Sequence, residues 1–385
     1  MNLQNIKVAP LVGASSRYSV MEERSINGCN SSQCPVSIRV LYLASNSGTS
    51  RHRALSLKRL GHEVQILDPR SFLPQSRLLD YWTHHTGALG LENFIRSRIL
   101  EIIRSTAFDL VWVDPGEFVC PELVRDLKRK ARFVINYNVD DPYGARDGKK
   151  WRLYIRAIPF YDLAIVVRDC NLAEAHNVGA REVMRVHRSS DEVAHAPRPL
   201  SLMDQSKWRS EVAFIGTWMP ERGPFLARLV ERGVPLAIWG DRWPKAKEWP
   251  ILRAHWRGPG LYNDDDYAKA VQCAKVCLGL LSKGNRDTCT QRSFEIPQLG
   301  GVLCAERTSE HLALYTEGVD AVFWNDADEC AQKCNRLLND EPWRSQLAGN
   351  GRKRAMQNGT SNETVMNQII SRVFDSVPSE APIPR

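Results

Sequence analysis

Short apolar runs alternate with stretches of helical period along most of this chain. Ser37-Ile-Arg-Val-Leu-Tyr-Leu-Ala44 predicts a strand, Ser45–Ser50 a polar loop, and Arg53 to Leu60 a helix capped by Gly61. Glu63–Leu67 predicts the next strand, so the chain opens as a doubly wound parallel sheet does. A helix is expected over about Leu91–Ser105, and strands at Leu110–Val113, Phe133–Asn136, Leu163–Val167 and Val183–Val186. Pro121–Lys130 and Leu172–Asn177 read as helices between them. Ser189–Trp208 carries Pro197 and Pro199 without a clean period and reads as a linker. The alternation then restarts, with strands at Val212–Ile215, Leu236–Trp239, Val276–Leu281, Val302–Ala305 and Ala321–Trp324. Helices are expected at Pro224–Arg232, Tyr267–Ala274 and Ser293–Leu299, and from Ala327 to about Phe374. The class is therefore α/β, with two doubly wound domains over 36–195 and 196–375 and a cleft between them. Residues 1–35, polar and without period, are expected to be a disordered tail, and 376–385 a second tail.

Composition narrows the function classes. At 385 residues, 43% hydrophobic and 25% charged, the chain has the profile of a soluble two-domain protein. No apolar run approaches the roughly 20 residues of a membrane helix, and the first residues lack an apolar signal core, so a cytoplasmic protein is expected, with at most peripheral membrane contact. The net charge is +8, but Lys128-Arg129-Lys130 and Arg352-Lys353-Arg354 are the densest basic clusters, too short for a nucleic-acid patch. Nucleic acid is not an expected partner, and an anionic small substrate accounts for the charge. Ten cysteines show no metal spacing: Cys273/Cys277 and Cys330/Cys334 are i,i+4 pairs on expected helices. No metal is expected, and core thiols are the reading adopted. Triplets at Asn30, Asn358 and Asn362 have the form of glycosylation sites but mean nothing without secretion.

The most informative segment is residues 285–304, Asn-Arg-Asp-Thr-Cys-Thr-Gln-Arg-Ser-Phe-Glu-Ile-Pro-Gln-Leu-Gly-Gly-Val-Leu-Cys. Asp287 and Glu295 stand seven residues apart with Thr290 and Arg292 between them, and Gly300-Gly301 follows. This order suits a helix whose first turn faces a ligand, with a glycine turn leading back into the sheet. An acid there can bind the paired hydroxyls of a ribose, and an Arg can neutralise a phosphate. Together they suggest a nucleotide sugar. Glu295 alone would be no more than an acid favoured by the helix dipole.

Thr290-Gln-Arg-Ser-Phe-Glu-Ile-Pro-Gln-Leu-Gly-Gly301, Ala305–His311 and Glu317–Phe323 resemble the CgeB-like proteins, within the group 1-type glycosyltransferases of GT-B fold. Tyr137-Asn-Val-Asp-Asp-Pro-Tyr143 and Tyr161-Asp-Leu163 carry the likeness into the first half. The resemblance implies two Rossmann-like domains, C-terminal helices packing back, and transfer of a sugar from a nucleotide-diphosphate donor without a metal or other cofactor. The acceptor would be a polysaccharide, a cell-surface glycan or a protein. Glu295 would grip the donor ribose. Asp287, where the family has Glu, would lie near the donor sugar. The loop Phe214-Ile-Gly-Thr-Trp-Met-Pro-Glu-Arg-Gly223 would cradle the diphosphate through Gly216, Gly223 and Arg222, with Thr217 where many members carry a basic residue and Gly240 on the next strand's loop. Gly48 and Thr49 would form the acceptor-side loop, and Asp140 or Asp141 would be the catalytic base.

Rival readings remain at this level. Asn263-Asp-Asp-Asp-Tyr267 tempts towards a metal-binding Asp-x-Asp but reads as an acidic helix start. His52 and His62 are expected at the surface, and His187 and His195 carry no assignment. Trp218, Trp239 and Trp243 are read as core or rim packing. A nucleotide-sugar epimerase on the same fold, or a nucleotide- or sugar-binding protein without turnover, would share most of these features.

Overall fold

The computed structural model describes residues 37–375; the expectations for 1–35, the Asn30 triplet included, and for 376–385 lie outside them. Among the described residues, twelve strands form two six-stranded sheets. The first holds β1 (Arg39–Ala44), β2 (Glu63–Leu67), β3 (Phe108–Asp114), β4 (Ala131–Asn138), β5 (Leu163–Val166) and β6 (Val183–Arg185) in the order β2-β1-β3-β4-β5-β6. The second holds β7 (Ser210–Ile215), β8 (Leu236–Trp239), β9 (Trp256–Gly258), β10 (Ala274–Gly279), β11 (Leu303–Glu306) and β12 (Val322–Trp324) in the order β12-β11-β10-β7-β8-β9. Every pairing is parallel. The expected α/β class with two doubly wound sheets is the one observed.

Parallel strands covered by helices on both faces must be apolar throughout, which is why the strands read as runs rather than alternations. In β1, Leu41 and Leu43 enter one core while Val40, Tyr42 and Ala44 enter another across the sheet. In β7, Val212 and Phe214 face one core and Ala213 and Ile215 the other. The strand order reverses between β1 and β3 in the first sheet and between β7 and β10 in the second. At such switch points the flanking loops diverge and leave a crevice beyond the carboxyl ends of the strands.

The chain crosses back at its end. Helix Asn362–Asp375 buries Val365, Met366, Ile369 and Val373 against Val40 and Tyr42 of the first sheet. Residues 362–375 thus follow the second sheet in sequence but pack with the first in space.

Three local differences from the sequence reading have physical causes. Leu202–Trp208, inside the expected linker, is a helix because Ser201 and Asp204 form a reciprocal capping box. Arg77–Thr86 is a helix that buries none of its residues, so it leaves no core stripe to read. His52 and His62 are buried, 8% exposed each, rather than at the surface. His52 packs edge-on to His195 with ring centroids 5.6 Å apart and reaches Asp264 from the first helix, Gly48–Arg59, at 3.2 Å. His62 is covered where the turn after that helix enters β2, its backbone N–H donating to the Leu57 carbonyl at 3.2 Å.

Replacing Ile369 by Ala should cost about 2–5 kcal/mol, the usual loss for a large-to-small change in a packed core. Urea unfolding followed by circular dichroism measures it. A loss under about 0.5 kcal/mol, the range of a surface change, would mean that the returning helix is not part of the first sheet's core.

Candidate functional site

Both switch points hold candidate chemistry. At the second, β7 runs into the loop of Gly216 and Thr217, and helix Arg222–Glu231 follows. Arg222 opens that helix and folds back into the crevice. Its guanidinium donates to the carbonyls of Thr217 at 2.8 Å and Leu280 at 3.1 Å, and so spans the exits of β7 and β10. Its Nε has no partner, and among the described residues no carboxylate comes within ion-pair distance of it. Burial outweighs the pull of Glu221 and lowers its pKa to about 10. The side chain lines a 250 Å³ cavity with Phe225, Lys283 and the acids Glu221, Glu306 and Asp326. A buried cation facing a cavity at a helix N-terminus is placed to receive an anion.

The glycines around it divide by role. A Cβ on Gly240 would lie 1.9 Å from the Gly216 carbonyl, so only glycine lets these two loops cross. A Cβ on Gly216 would meet the Phe214 ring at 2.8 Å and Arg222 at 3.4 Å; one on Gly223 would meet the Glu248 carboxylate at 2.3 Å. These positions shape the Arg222 pocket through packing.

Glu295 sits in the first turn of helix Arg292–Gln298 and is 2% exposed. Tyr267 donates to its Oε2 at 2.8 Å, Arg292 forms an ion pair with the same oxygen, and His195 Nε2 lies 3.3 Å from Oε1. Arg292 also donates to the carbonyl of Ile215, the last residue of β7, at 3.1 Å, and lies 4.3 Å over the Tyr267 ring. Burial raises the Glu295 pKa, but Arg292, His195 and Tyr267 outweigh it and hold the carboxyl at about 2. Arg292 is therefore committed to Glu295. Thr290 donates its backbone N–H to Ser293 Oγ at 3.1 Å, while its own buried hydroxyl lacks a partner.

The Gly300-Gly301 pair ends the helix that carries Glu295. Gly300, at φ +80°, donates to Pro297 O, and Gly301 donates to Ile296 O, both at 2.9 Å. This is a Schellman stop for the helix, and a Cβ on Gly301 would strike Val271 at 2.9 Å. This is the glycine turn expected from the sequence, and the contacts of both residues are those of helix termination.

Two of the expected catalytic acids are also tied up. Asp287 is held by Arg168, which follows β5, and by Arg188, which follows β6, the latter at 3.0 Å. Asp141 takes a fork of hydrogen bonds from Arg286 at 2.6 and 2.7 Å and a further one from Asn171 at 2.9 Å. Burial raises Asp141, but Arg286 and Asn171 prevail and its pKa falls below the ordinary value. A carboxylate so stabilised is a poor proton acceptor, so Asp141 does not fit the role of base. Asp140 remains: it is half-buried and lines a 340 Å³ cavity at the first switch point, with Ser45, Asp114, Glu117 and Lys150. Gly48, at φ +52° and exposed, and half-buried Thr49 begin the helix beyond Ser45.

The residues that sequence reading missed are those that cross between the sheets. Arg168 and Arg188 reach Asp287, Arg286 reaches Asp141 and Glu174, and Arg185 and His187 reach Glu310. Their one available signal was position just beyond a strand's carboxyl end. Asp114, at the end of β3, was also missed; Tyr42 and Arg53 hold it at 2.7 Å. Asn263 caps its helix by accepting from Asp265 and Asp266 N–H, which confirms the acidic helix start. Trp243 is fully buried and Trp239 nearly so. The sulfurs of Cys304, Cys330 and Cys334 lie within 4.8 Å of one another, all buried in the core of the second sheet. The fold thus brings a third thiol to the Cys330/Cys334 pair, which no sequence spacing shows. Among the described residues no helix is long and apolar enough to cross a membrane.

With this geometry in view, the comparisons with known proteins are specific. A family described as "Glycosyl transferase-like" matches residues 222–371, from Arg222 through the returning helix. No curated protein matches at the sequence level. Among solved structures, sucrose-phosphate synthase of Thermosynechococcus elongatus aligns over 88% of this chain and 100% of its own, at TM-score 0.65 and 12% identity. HepE of Anabaena, in complex with UDP-glucose, aligns over 88% and 100% at TM-score 0.60 and 13% identity. A glycosyltransferase of Rickettsia africae aligns over 89% and 100% at TM-score 0.59 and 12% identity. At such identities the shared property is the fold, and it is the GT-B arrangement of two facing parallel sheets.

The Glu295 carboxyl lies well below its ordinary 4.5 in the folded protein, so its contribution to stability is present above pH 4.5 and is lost as pH falls towards 2. Glu295→Gln should remove that part of the acid dependence. Urea midpoints measured from pH 5 down to 2.5 should fall less steeply for the variant than for wild type; equal slopes would contradict the buried ion cluster.

Proposed function

We propose that this chain is a glycosyltransferase that takes a nucleotide-diphosphate sugar on its second sheet and an acceptor on its first. The observation that carries this reading is Arg222, a buried guanidinium without a carboxylate partner among the described residues, spanning the switch point of the second sheet. A diphosphate supplies the missing anion. The match of residues 222–371 to a glycosyl transferase-like family points to the same half of the chain. The finer CgeB-like resemblance and a cytoplasmic setting belong to this proposal.

The chemistry follows from the positions. An acceptor hydroxyl attacks the anomeric carbon, the bond from that carbon to the diphosphate oxygen breaks, and the nucleoside diphosphate leaves with growing negative charge. Arg222 and the first N–H groups of its helix stabilise that charge, so no metal is required. Glu295 receives the ribose hydroxyls, and Asp140 at the first-sheet cavity takes the acceptor proton in an inverting reaction. Asp287 fastens the two sheets beneath the reacting centre through Arg168 and Arg188. The acceptor cavity, with Lys150, Asp114 and Glu117 in its wall, is polar enough for a glycan.

One observation favours a second reading. Asp287 and Asp141 are both spent on ion pairs, as suits a protein that binds nucleotide sugars without turning them over.

HepE's complex with UDP-glucose makes uracil the first base to test, followed by guanine, thymine and adenine. A nucleoside diphosphate at 100 times its dissociation constant should stabilise the fold by about 2.7 kcal/mol, seen as a raised melting temperature. Arg222→Met should abolish the rise. No rise with any of the four diphosphates would sink the proposal. Binding without release of free diphosphate from the matching nucleotide sugar, across a panel of glycan acceptors, would select the second reading.

A further inference from the structure

Helix Arg77–Thr86 turns three large apolar side chains to water. Leu78 is 82% exposed, Tyr81 66% and Trp82 47%. With His85 they stand at i, i+3, i+4 and i+7, so they form one stripe along the helix. Leu79, off that stripe, is half-buried and packs against the first sheet's core, which fixes the helix on the protein. The Tyr81 and His85 rings lie 4.1 Å apart. Trp82 Nε1 donates to the carbonyl of Leu89, itself 51% exposed, at 3.1 Å. The one polar atom of the indole is thus satisfied within the chain, so the ring can enter apolar surroundings without stranding a donor.

The stripe carries no acid. The helix has one, Asp80, which lies off the stripe and is paired with Arg70 at 2.6 Å. Exposed Arg77 and His84, seven residues apart, run along the Tyr81 edge of the stripe. Arg77 has no ion-pair partner among the described residues. The whole chain is cationic as well, at +8. Four side chains on a helix about 15 Å long cover far less than the roughly 800 Å² that each partner gives to a stable protein interface. A lipid surface sets no such minimum, because apolar insertion and attraction to anionic headgroups add. Tyr and Trp are also the side chains that settle where hydrocarbon meets headgroup.

We propose that helix Arg77–Thr86 seats this protein on an anionic lipid bilayer, with Leu78, Tyr81 and Trp82 entering the headgroup boundary and Arg77 meeting the anionic headgroups. Asp80 and His84 of the same helix line a 280 Å³ cavity that shares Arg70, Glu117 and Lys150 with the 340 Å³ cavity of Asp140. The seated helix sets this cleft beside the bilayer, where a lipid-anchored acceptor would meet it. The docking itself does not depend on the glycosyltransferase reading of that cleft.

Flotation of the full chain with vesicles tests this. One set is phosphatidylcholine alone, the other phosphatidylcholine with a third of phosphatidylglycerol. The proteins are wild type, Leu78→Ser/Trp82→Ser, Arg77→Gln and a control, Leu202→Ser/Met203→Ser, which removes two exposed apolar groups elsewhere, 86% and 78% exposed. Melting temperatures are recorded first, and if the first double variant melts lower, Leu78→Ser alone replaces it. Wild type and control should float with the anionic vesicles and much less with the neutral ones. Leu78→Ser/Trp82→Ser should bind the anionic vesicles about tenfold more weakly, through lost apolar insertion. Arg77→Gln should bind them about fivefold more weakly, the worth of one basic residue near such a surface, and the neutral vesicles as wild type does. No binding by wild type, equal binding to both kinds of vesicle, or an equal loss in the control would overturn the proposal. So would wild-type binding by Leu78→Ser/Trp82→Ser. Sedimentation velocity completes the test: a wild-type dimer that this variant converts to monomer would make the stripe an interface between copies and refute the lipid docking.

Discussion

The two sheets are joined by charge. Arg168 and Arg188 of the first sheet enclose Asp287 of the second in a buried cluster, and the more exposed Arg286 of the second pairs with buried Asp141 and with Glu174 of the first. Removing Asp287 would leave two buried guanidiniums without their carboxylate, a loss of about 3–5 kcal/mol. These pairs link the loops at the strand ends of one sheet to those of the other.

Against this paired background, Arg222 and Glu295 stand out for opposite reasons. Glu295 accepts from Tyr267 and Arg292, with the His195 ring 3.3 Å from its other oxygen, and this keeps a buried anion ionised. Arg222 has carbonyls but, among the described residues, no carboxylate within ion-pair distance, and burial lowers its pKa. One group is pre-arranged with its charge balanced by protein; the other leaves a positive charge for a ligand to balance. That asymmetry separates the ribose end of the proposed donor site from its phosphate end.

Much of the fold was legible from the sequence. Continuous apolar runs of four to six residues, spaced by helical stretches, require a parallel sheet covered on both faces. Glu63–Leu67 and Leu236–Trp239 have the same bounds in the structure as in the pattern. The helix that carries Arg292 and Glu295 was legible too, because local spacing places both on one helix and Gly300-Gly301 at its stop. The helix Arg77–Thr86 was not, since it touches the core through partly buried Leu79 and fully buries no residue, and neither was the short strand Trp256–Gly258, which offers no apolar run.

The sequence by itself determined the elements, the two-sheet class and the place of an acid and a base near a helix start, because these depend on residues within a turn or two of each other. What each charged group pairs with was decided by tertiary structure alone. Asp287 and Arg168 are 119 residues apart, and Arg286 and Asp141 are 145 apart. An isolated acid in a sequence looks the same whether it will meet a substrate or an arginine. Burial and partner choice convert it into a base, a ligand or a fastening, and both are properties of the packed molecule.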